Sequence, residues 1–476
     1  MKKILRISAT VLAVLQIGAL CACKKDTDTT SSSSDSYTQT VISSNDSVSS
    51  DSQSTQDSFS QAQPSSVPSS SAPVNSNPGG KTSLSRDQVI NNMPSMLKNT
   101  RIKYYSWVNP KNLIEKEAFE AFEKATGITV DVEVINLNEW ALQLAARINS
   151  GKSPDVVRII DNSPENIKLL QPISNTGFNF NDSAWDPALM KFYTFNNRTY
   201  AMNLQGGGAL SDVAIIYYNK AALRKAEMED PYKLWKSNPG AWTWDKLWNM
   251  CSVFLQRNNN KEGYYGISFA YENGYQRAFG ALNYNYDVKT GKWVNYMKDP
   301  ELVKRWEILT DAYSKNWAAK TSSQDTFAMG KSLFYWGNTY DARQRNTVFR
   351  DLKQKGNLGT VPIPTDSKYM TIYEPTAFGV PVGAKNKEAV PYLIRYVLDA
   401  KSYNVNKIYF DNQATDVVKS SQARGNFFYG SNAEWAVTNE LNAATSSQVK
   451  SILDKYYGVI DDKVKRYNSE MKSFPN

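Results

Sequence analysis

The stretch that decides the fold of this chain is Ser211–Lys220, which reads SDVAIIYYNK. Its β-branched and aromatic residues run without Pro or Gly, which predicts a buried strand. The next residues, Ala221–Ala226 (AALRKA), predict a helix that begins directly after that strand. A buried strand that leads straight into a helix is typical of an α/β fold.

Strands and helices also alternate earlier in the chain. Arg101–Trp107 and Ile128–Ile135 predict two strands, and Asn112–Thr126 between them predicts an amphipathic helix. A second helix, Glu139–Asn149, precedes a third predicted strand, Asp155–Ile160. This order of strand, helix, strand, helix and strand predicts a parallel α/β sheet.

The chain also carries short motifs, each weak alone, in a particular order. They are Tyr217–Lys220 with Thr243–Asp245, Ala121–Val130, Ser150–Val157, Tyr264–Ser268, Thr326–Trp336, Leu358–Pro364 and Thr376–Val390. In order and spacing these motifs resemble the extracellular solute-binding proteins of ABC importers, in the family that includes maltose-type sugar binders. The resemblance covers nearly all of residues 100–410.

This resemblance implies an α/β, two-lobe periplasmic-binding-protein fold of type II, with a hinge where the chain crosses between the lobes. In that family Ser211–Lys220 lies at such a crossing. We therefore expect lobe 1 to comprise residues 82–213 with 376–410 returning to it. Lobe 2 is then expected to comprise residues 214–375 with 411–476.

The N-terminus predicts export and a lipid anchor. Met1–Arg6 is positively charged, and Ile7–Leu20 is apolar but short for a membrane span. The small residues around Cys23 resemble a bacterial lipoprotein signal, which implies removal of residues 1–22 and acylation of Cys23, for example with palmitate. The protein would then sit at the extracellular face of the cell membrane. A non-lipidated signal peptide or a single transmembrane anchor is the alternative.

A polar segment follows the predicted signal. Residues 23–81 are rich in Ser, Thr, Asp, Gln and Asn, and no Lys or Arg occurs between Thr27 and Gly80. Such a composition cannot bury enough apolar surface to offset the entropy of ordering, so we expect a disordered linker. Apolar residues at near-helical spacing in Thr82–Asn99 predict a short helix packed on the folded body.

The composition excludes several chemistries. The chain has no His, so neither a Ser-His-Asp nor a Cys-His nucleophile system is possible, and no ordinary catalytic zinc site is expected. Gly206–Gly208 lacks the context of a phosphate-binding loop, and we expect no cofactor and no metal. The net charge of +9 is scattered in small groups, so we expect no nucleic-acid binding. Cys251 lies on the apolar stripe of a predicted helix, which indicates packing.

Aromatic and polar residues follow several of the predicted strands. Ligands of open α/β sheets bind beyond the carboxyl ends of the strands. Sugars need aromatic platforms for their C–H faces and hydrogen-bonding side chains for their hydroxyls. The expected ligand-binding residues are Trp107, Asn109, Trp140, Asp161, Asn162, Tyr271, Tyr275, Trp336, Tyr373 and Glu374. Among them Trp107, Trp336 and Asp161 are the main candidates, and core packing is the alternative role of each aromatic. Trp248, Trp306 and Trp317 lie in predicted helices, where we expect them to pack.

Two classes of function fit these observations. The resemblance implies a lipid-anchored, monomeric, non-catalytic receptor that closes around a sugar or oligosaccharide and delivers it to an ABC transporter permease. The other class is a surface carbohydrate-active enzyme with paired carboxylates about 5–10 Å apart. Within the receptor class, a peptide, a polyamine, a phosphate-bearing compound or another small polar solute is the competing ligand.

Overall fold

The computed structural model describes residues 84–475, with gaps at 114, 138, 160, 205–211, 270–275, 277–278, 321–323, 339–346, 365–372, 375–376, 400–411 and 424–434. The chain separates into two units, residues 1–76 and 77–476, and every described residue belongs to the second. The predicted signal, Cys23 and the linker lie outside the described residues. Within them, we find no helix with the length and apolarity needed to cross a membrane.

The strands of the described residues belong to two main sheets and two hairpins. In chain order they are β1 (Arg101–Ser106), β2 (Thr129–Val134), β3 (Val156–Ile159), β4 (Leu170–Gln171), β5 (Thr194–Phe195), β6 (Arg198–Thr199), β7 (Ala201–Met202), β8 (Asp212–Asn219), β9 (Tyr265–Phe269), β10 (Tyr284–Asp287), β11 (Lys292–Asn295), β12 (Ser332–Asn338), β13 (Leu358–Pro362), β14 (Tyr373–Glu374) and β15 (Ala377–Pro381).

The α-helices of the described residues connect these strands and cover the sheets. They are α1 (Arg86–Asn91), α2 (Lys116–Thr126), α3 (Trp140–Asn149), α4 (Pro164–Ile167), α5 (Pro187–Phe192), α6 (Lys220–Lys225), α7 (Pro231–Ser237), α8 (Trp244–Arg257), α9 (Pro300–Ser314), α10 (Gln324–Ala328), α11 (Thr347–Gln354), α12 (Val390–Val397), α13 (Asn412–Ala423), α14 (Trp435–Ala443) and α15 (Val449–Met471).

The first sheet has the order β2-β1-β3-β15-β4, and β7 also pairs with β15. Its strands β1, β2 and β3 are parallel, as the predicted alternation of strands and helices requires, whereas β15 is antiparallel to β3. The second sheet has the order β13-β8-β12-β9, with β14 paired to the start of β8. Strand β8 is the predicted strand at Ser211–Lys220, and its residues Ala214–Tyr218 are at most 1% exposed. The fold is the predicted two-lobe α/β fold, with one sheet in each lobe.

The chain crosses between the two sheets along neighbouring paths. It leaves the first sheet after β7 and enters the second at β8. On its return, Glu374 of β14 pairs with Asp212 of β8, and shortly afterwards Ala377 of β15 pairs with Ile159 of β3. A later passage leads from α12, which packs on α2, to α13, which packs on β8 and β13. These crossings place the end of β3 beside the start of β8.

The apolar side chains form two clusters. One lies between the first sheet and helices α2 and α12, and it contains Phe119, Phe122 and Leu393. The other covers the opposite face of the first sheet and continues through the second sheet to the C-terminal helix α15. Because β1 and β3 contribute to both clusters, the first sheet is buried on both faces, as expected for parallel strands covered by helices.

Two local expectations differ from the structure. The helix expected at Asn112–Thr126 begins at Lys116, because Asn109 instead caps a short 3-10 turn at Pro110–Asn112. Trp317 does not lie in a helix. Helix α9 ends at Ser314, and Asn316 has a φ of 56°, a left-handed conformation that cannot continue a right-handed helix.

Several packing expectations are confirmed. Trp248 and Trp306 lie in helices and are buried, at 4% and 1% exposure. Cys251 lies in α8, is fully buried and is a free thiol, and burial raises its pKa well above the ordinary value. This thiol therefore packs as a small apolar side chain. A short helix also forms within Thr82–Asn99, at Arg86–Asn91.

Candidate functional site

The carboxyl ends of β1 and β3 form one edge of the first sheet because the two strands are parallel neighbours. Trp107 directly follows β1 and is half-buried. The guanidinium of Arg158, in β3, lies over its indole at 4.9 Å from the ring centroid. Such a contact contributes about 0.5–1 kcal/mol at an exposed site and holds the ring at the edge of the sheet. The edge therefore carries a fixed aromatic surface.

Asp161 lies just beyond β3, at the same edge, and is 7% exposed. Its Oδ1 accepts hydrogen bonds from the backbone N–H of Ser163 (3.0 Å), from Ser163 Oγ (2.8 Å) and from Asn166 Nδ2 (2.9 Å). Asn166 Nδ2 also donates to Oδ2 at 2.9 Å. Burial raises the pKa of Asp161, and the hydrogen bonds from Asn166 and Ser163 oppose that rise. The carboxyl group thus organises the loop that leads into helix α4.

Asn162 is almost completely buried next to Asp161. Its Nδ2 donates to the backbone carbonyl of Phe192 at 3.0 Å. Its Oδ1 is buried and has no hydrogen-bond partner within the described parts of the chain. Buried amide oxygens are normally paired, so this oxygen retains unused acceptor capacity.

The raised pKa of Asp161 predicts how stability depends on pH. The folded protein holds a proton on this carboxyl more strongly than the unfolded chain does, whose pKa is near 3.8. The resulting contribution to stability is complete below that value and is lost as the pH rises through the raised folded pKa. Wild type should therefore gain thermal stability relative to Asp161→Asn as the pH is lowered from about 7 to about 4. Melting temperatures of both proteins across this range test it, and a difference that is constant or of opposite sign would contradict it.

The loop after Asp161 is also joined to the C-terminal helix α15. Glu165 Oε1 accepts a hydrogen bond from the Tyr467 hydroxyl at 2.8 Å, and Glu165 Oε2 lies 3.0 Å from Arg466 Nη1. Lys168 Nζ pairs with Glu470 at 2.7 Å. Burial, followed by the charge of Glu165, raises the pKa of Tyr467, which therefore stays a hydrogen-bond donor. Helix α15 also packs on β11 and α9, so it links this loop to elements that lie between β9 and β12 in the chain.

The remaining predicted ligand residues fall into four groups. Asn109 is half-buried, and its side chain accepts from the backbone N–H of Lys111 at 3.0 Å. Trp140 and Trp336 are 5% and 1% exposed and belong to the extended apolar cluster, which favours packing over stacking on a ligand. Tyr271 and Tyr275 lie outside the described residues. The backbones of Tyr373 and Glu374 form β14, and their side chains are not described.

The structure thus brings part of the predicted set together. Trp107, Asp161 and Asn162 share the edge of the first sheet, and β14 leads directly to the strand that pairs with Ile159. Sequence reasoning missed Arg158, although a charged residue within an otherwise apolar strand was a usable signal. It also missed Tyr467, since no pattern in the sequence connects that residue to Glu165. Across the described residues, no group of His, Cys, Asp and Glu side chains could hold a metal ion.

Two sheets joined by adjacent crossings, with polar and aromatic residues at the strand ends beside them, define a two-lobe binding protein. A profile of bacterial extracellular solute-binding proteins matches residues 117–409. The chain belongs to this family, which is one of binding proteins that act outside the cytoplasm. No curated protein sequence matches the chain significantly.

Solved structures have the same fold at low sequence identity. The ABC substrate-binding protein Lmo0181 from Listeria monocytogenes, in complex with cycloalternan, is 16% identical, with a TM-score of 0.53 over 78% of this chain and 99% of its own. The sugar-binding protein MalE from Xanthomonas citri is 15% identical, with a TM-score of 0.56 over 78% and 98%. UgpB from Mycobacterium tuberculosis, in complex with glycerophosphocholine, is 16% identical, with a TM-score of 0.55 over 76% and 98%.

Proposed function

We propose that this protein is the substrate-binding component of an ABC importer, which holds a sugar or oligosaccharide between its two lobes and delivers it to a membrane permease. The main support is the placement of the Trp107 indole and the Asp161–Asn162 loop at adjacent strand ends, beside the crossings. An indole face suits the C–H face of a sugar ring, and the buried Oδ1 of Asn162 is an acceptor for a hydroxyl. Lmo0181, solved in complex with cycloalternan, and the sugar-binding protein MalE share the fold.

The remaining members of the proposed site are Asn109, after β1, Tyr271 and Tyr275, after β9, and Tyr373 and Glu374, which form β14 at the return crossing. Because Trp140 and Trp336 are buried, we assign them to packing of the apolar core and not to contact with the ligand. The two lobes then close by a hinge at the crossings, and the chain carries out no catalysis. We further propose that acylation of Cys23 anchors the protein at the outer face of the membrane, with residues 23–81 as a tether. Acyl labelling of wild type and Cys23→Ala in cells would test the anchor.

The binding function can be tested with the chain from residue 24 onward. Tryptophan fluorescence and thermal melting are followed while oligosaccharides, amino acids, peptides and glycerophosphocholine are added, and each mixture is then analysed for products. We expect saturable binding of one sugar family without turnover. Trp107→Ala should weaken that binding at least about tenfold, equivalent to about 1.4 kcal/mol, because it removes the aromatic surface at the edge of the first sheet.

Trp317→Ala is the matched control, because Trp317 lies in a loop after α9 and its ring contacts Lys315 Nζ at 4.6 Å. Its affinity should stay within about twofold of wild type. Product formation would contradict the receptor hypothesis and favour a carbohydrate-active enzyme with paired carboxylates. A response only to peptides or to glycerophosphocholine would change the class of ligand, and equal losses in both Trp variants would remove Trp107 from the site.

A further inference from the structure

A concave surface lies outside the set of residues assigned to the proposed sugar site. It has a volume of about 700 Å³, and its rim carries Lys191, Lys289, Lys292 and Lys472. We call this surface the lysine groove. Its size falls within the range of about 300–1,000 Å³ that is typical of small-molecule sites. None of the predicted ligand-binding residues lines it.

The groove is framed by four separate segments. These are the turn between β5 and β6, the turn between β10 and β11, the end of α15 and the end of α5. The rings of Phe195 and Tyr286 pack at 5.6 Å between the first two segments. Asn468 of α15 exchanges hydrogen bonds with the backbone N–H and carbonyl of Trp293 at 2.8 and 2.9 Å, and Asn196 Nδ2 donates to the carbonyl of Phe474 at 2.6 Å. The lysines therefore project from a backbone that is already ordered.

The charges of the groove are all of one sign. Within the described residues, none of its four lysines forms an ion pair, and no Asp or Glu lines it. Nearby cations behave differently, since Lys168, Lys465 and Arg466 each pair with a carboxylate. Asp287, at the base of one turn, is engaged by the backbone N–H of Lys289 and by Thr290 Oγ1, both at 2.8 Å.

The position of Lys472 is explained in part by the helix that precedes it. It follows the last residue of α15, where the helix dipole favours a positive charge. Lys191 lies in the last turn of α5 and has the same explanation, whereas Lys289 and Lys292 of the β10–β11 hairpin have none. The four lysines converge on the groove from α5, from that hairpin and from the end of α15. Ammonium groups placed around one concavity repel each other and create a positive potential that attracts anions.

We propose that the lysine groove binds a phosphate ester, either the headgroup of an anionic lipid or a soluble phosphodiester. Lysine is a common phosphate ligand because each ammonium group offers several donors to a compact charge. A phosphate group presents oxygens in several directions, which matches cations that approach from three sides. The exposed amide of Asn197 and the hydroxyl of Thr290, both at the groove, suit the hydroxyls of a glycerol phosphate.

The test uses the chain from residue 24 onward with two phosphate-bearing probes. Flotation with vesicles of phosphatidylglycerol and phosphatidylcholine, against vesicles of phosphatidylcholine alone, measures binding to headgroups. Calorimetric titration with glycerophosphoglycerol measures binding of the same group in solution. We expect Lys191→Gln/Lys289→Gln/Lys292→Gln to weaken binding at least tenfold, and added salt to weaken binding of wild type.

The matched control is Lys124→Gln/Lys152→Gln/Lys225→Gln, which removes three exposed lysines that form no ion pair among the described residues and lie outside the groove. It should bind within about twofold of wild type. If the protein binds the phosphatidylglycerol vesicles but not glycerophosphoglycerol, the ligand is a lipid headgroup. If it binds glycerophosphoglycerol, the ligand is a soluble ester. Absence of binding to either probe, or an equal loss in both triple variants, would overturn the proposal. The sugar affinity and the melting temperature of the groove variant are measured in parallel. If both equal those of wild type, a loss of phosphate binding is specific to the lysine groove and says nothing against the sugar site.

Discussion

Replacement of Arg395 by Met is expected to lower the free energy of unfolding by about 3–5 kcal/mol, because it leaves the buried carboxylate of Asp182 without its cation. Arg395 lies in α12 and its side chain is 3% exposed. Its Nε donates to Asp182 at 2.8 Å, its Nη1 to Asp399 at 2.6 Å and its Nη2 to the carbonyl of Leu84 at 2.6 Å. The side chain of Asp182 is equally buried. One guanidinium thus joins α12 to the segment before α5 and to the start of the described chain.

Urea unfolding followed by circular dichroism gives the measurement. Arg257→Met is the control, since Arg257 pairs with Glu227 at 3.0 Å on the surface, and loss of such a pair changes stability by less than about 1 kcal/mol. Arg395→Met/Asp182→Leu should recover part of the lost unfolding free energy, because it removes the unpaired Asp182 carboxylate as well as the guanidinium. If Arg395→Met and Arg257→Met unfold at the same urea concentration, the contacts of Arg395 do not contribute the expected free energy of unfolding.

Replacement of Gly266 by Ala is expected to destabilise the second lobe by about 3 kcal/mol, at the upper end of the cost of overpacking a core. Gly266 lies in β9, and an added Cβ would overlap the Cβ of Cys251 and approach the carbonyl oxygen of Trp317 to 2.6 Å. The carbonyl belongs to backbone that pairs with β9 through Ala318, so neither neighbour can move without disturbing the sheet. The cost is steric, since the φ of Gly266 is not positive.

Thermal unfolding of Gly266→Ala tests this prediction. Gly458→Ala is the comparison, because Gly458 lies within α15 and an added Cβ there meets no atom within 4 Å. That variant should raise stability by up to about 1 kcal/mol, as Ala has the higher helix propensity. Cys251→Ala should not rescue Gly266→Ala, because it keeps the Cβ that causes the overlap. Full rescue would show that the thiol alone sets the spacing between α8 and β9.

Helix α15 is relevant to the proposed closure of the lobes. It holds Glu165, next to the Asp161 loop of the first lobe, through Tyr467 and Arg466. It also bonds Trp293 of β11 through Asn468. In the proposed closure, these contacts would couple a displacement of the Asp161 loop to α15 and to the hairpin beside the lysine groove.

Much of the fold follows from local sequence patterns. The apolar run of β8, the alternation of strands and helices before it and the buried stripe of α8 depend on residues that are close in the chain, and they predicted the α/β class and its main elements. The ordered motifs predicted the two lobes. Trp107 and Asp161 were predicted because each directly follows a strand whose carboxyl end could be located.

Contacts between distant segments could not be predicted in this way. The pairing of Glu165 with Tyr467 and the pairing of Arg395 with Asp182 join residues that no periodicity relates. Burial of Trp336 follows from its position in a strand that has neighbours on both sides, which the amino-acid type alone does not reveal. The lysine groove arises only where two turns and two helix ends meet in space. Local propensity thus determined the elements, whereas side-chain burial and the convergence of charges were decided by tertiary packing, because both depend on which surfaces come into contact.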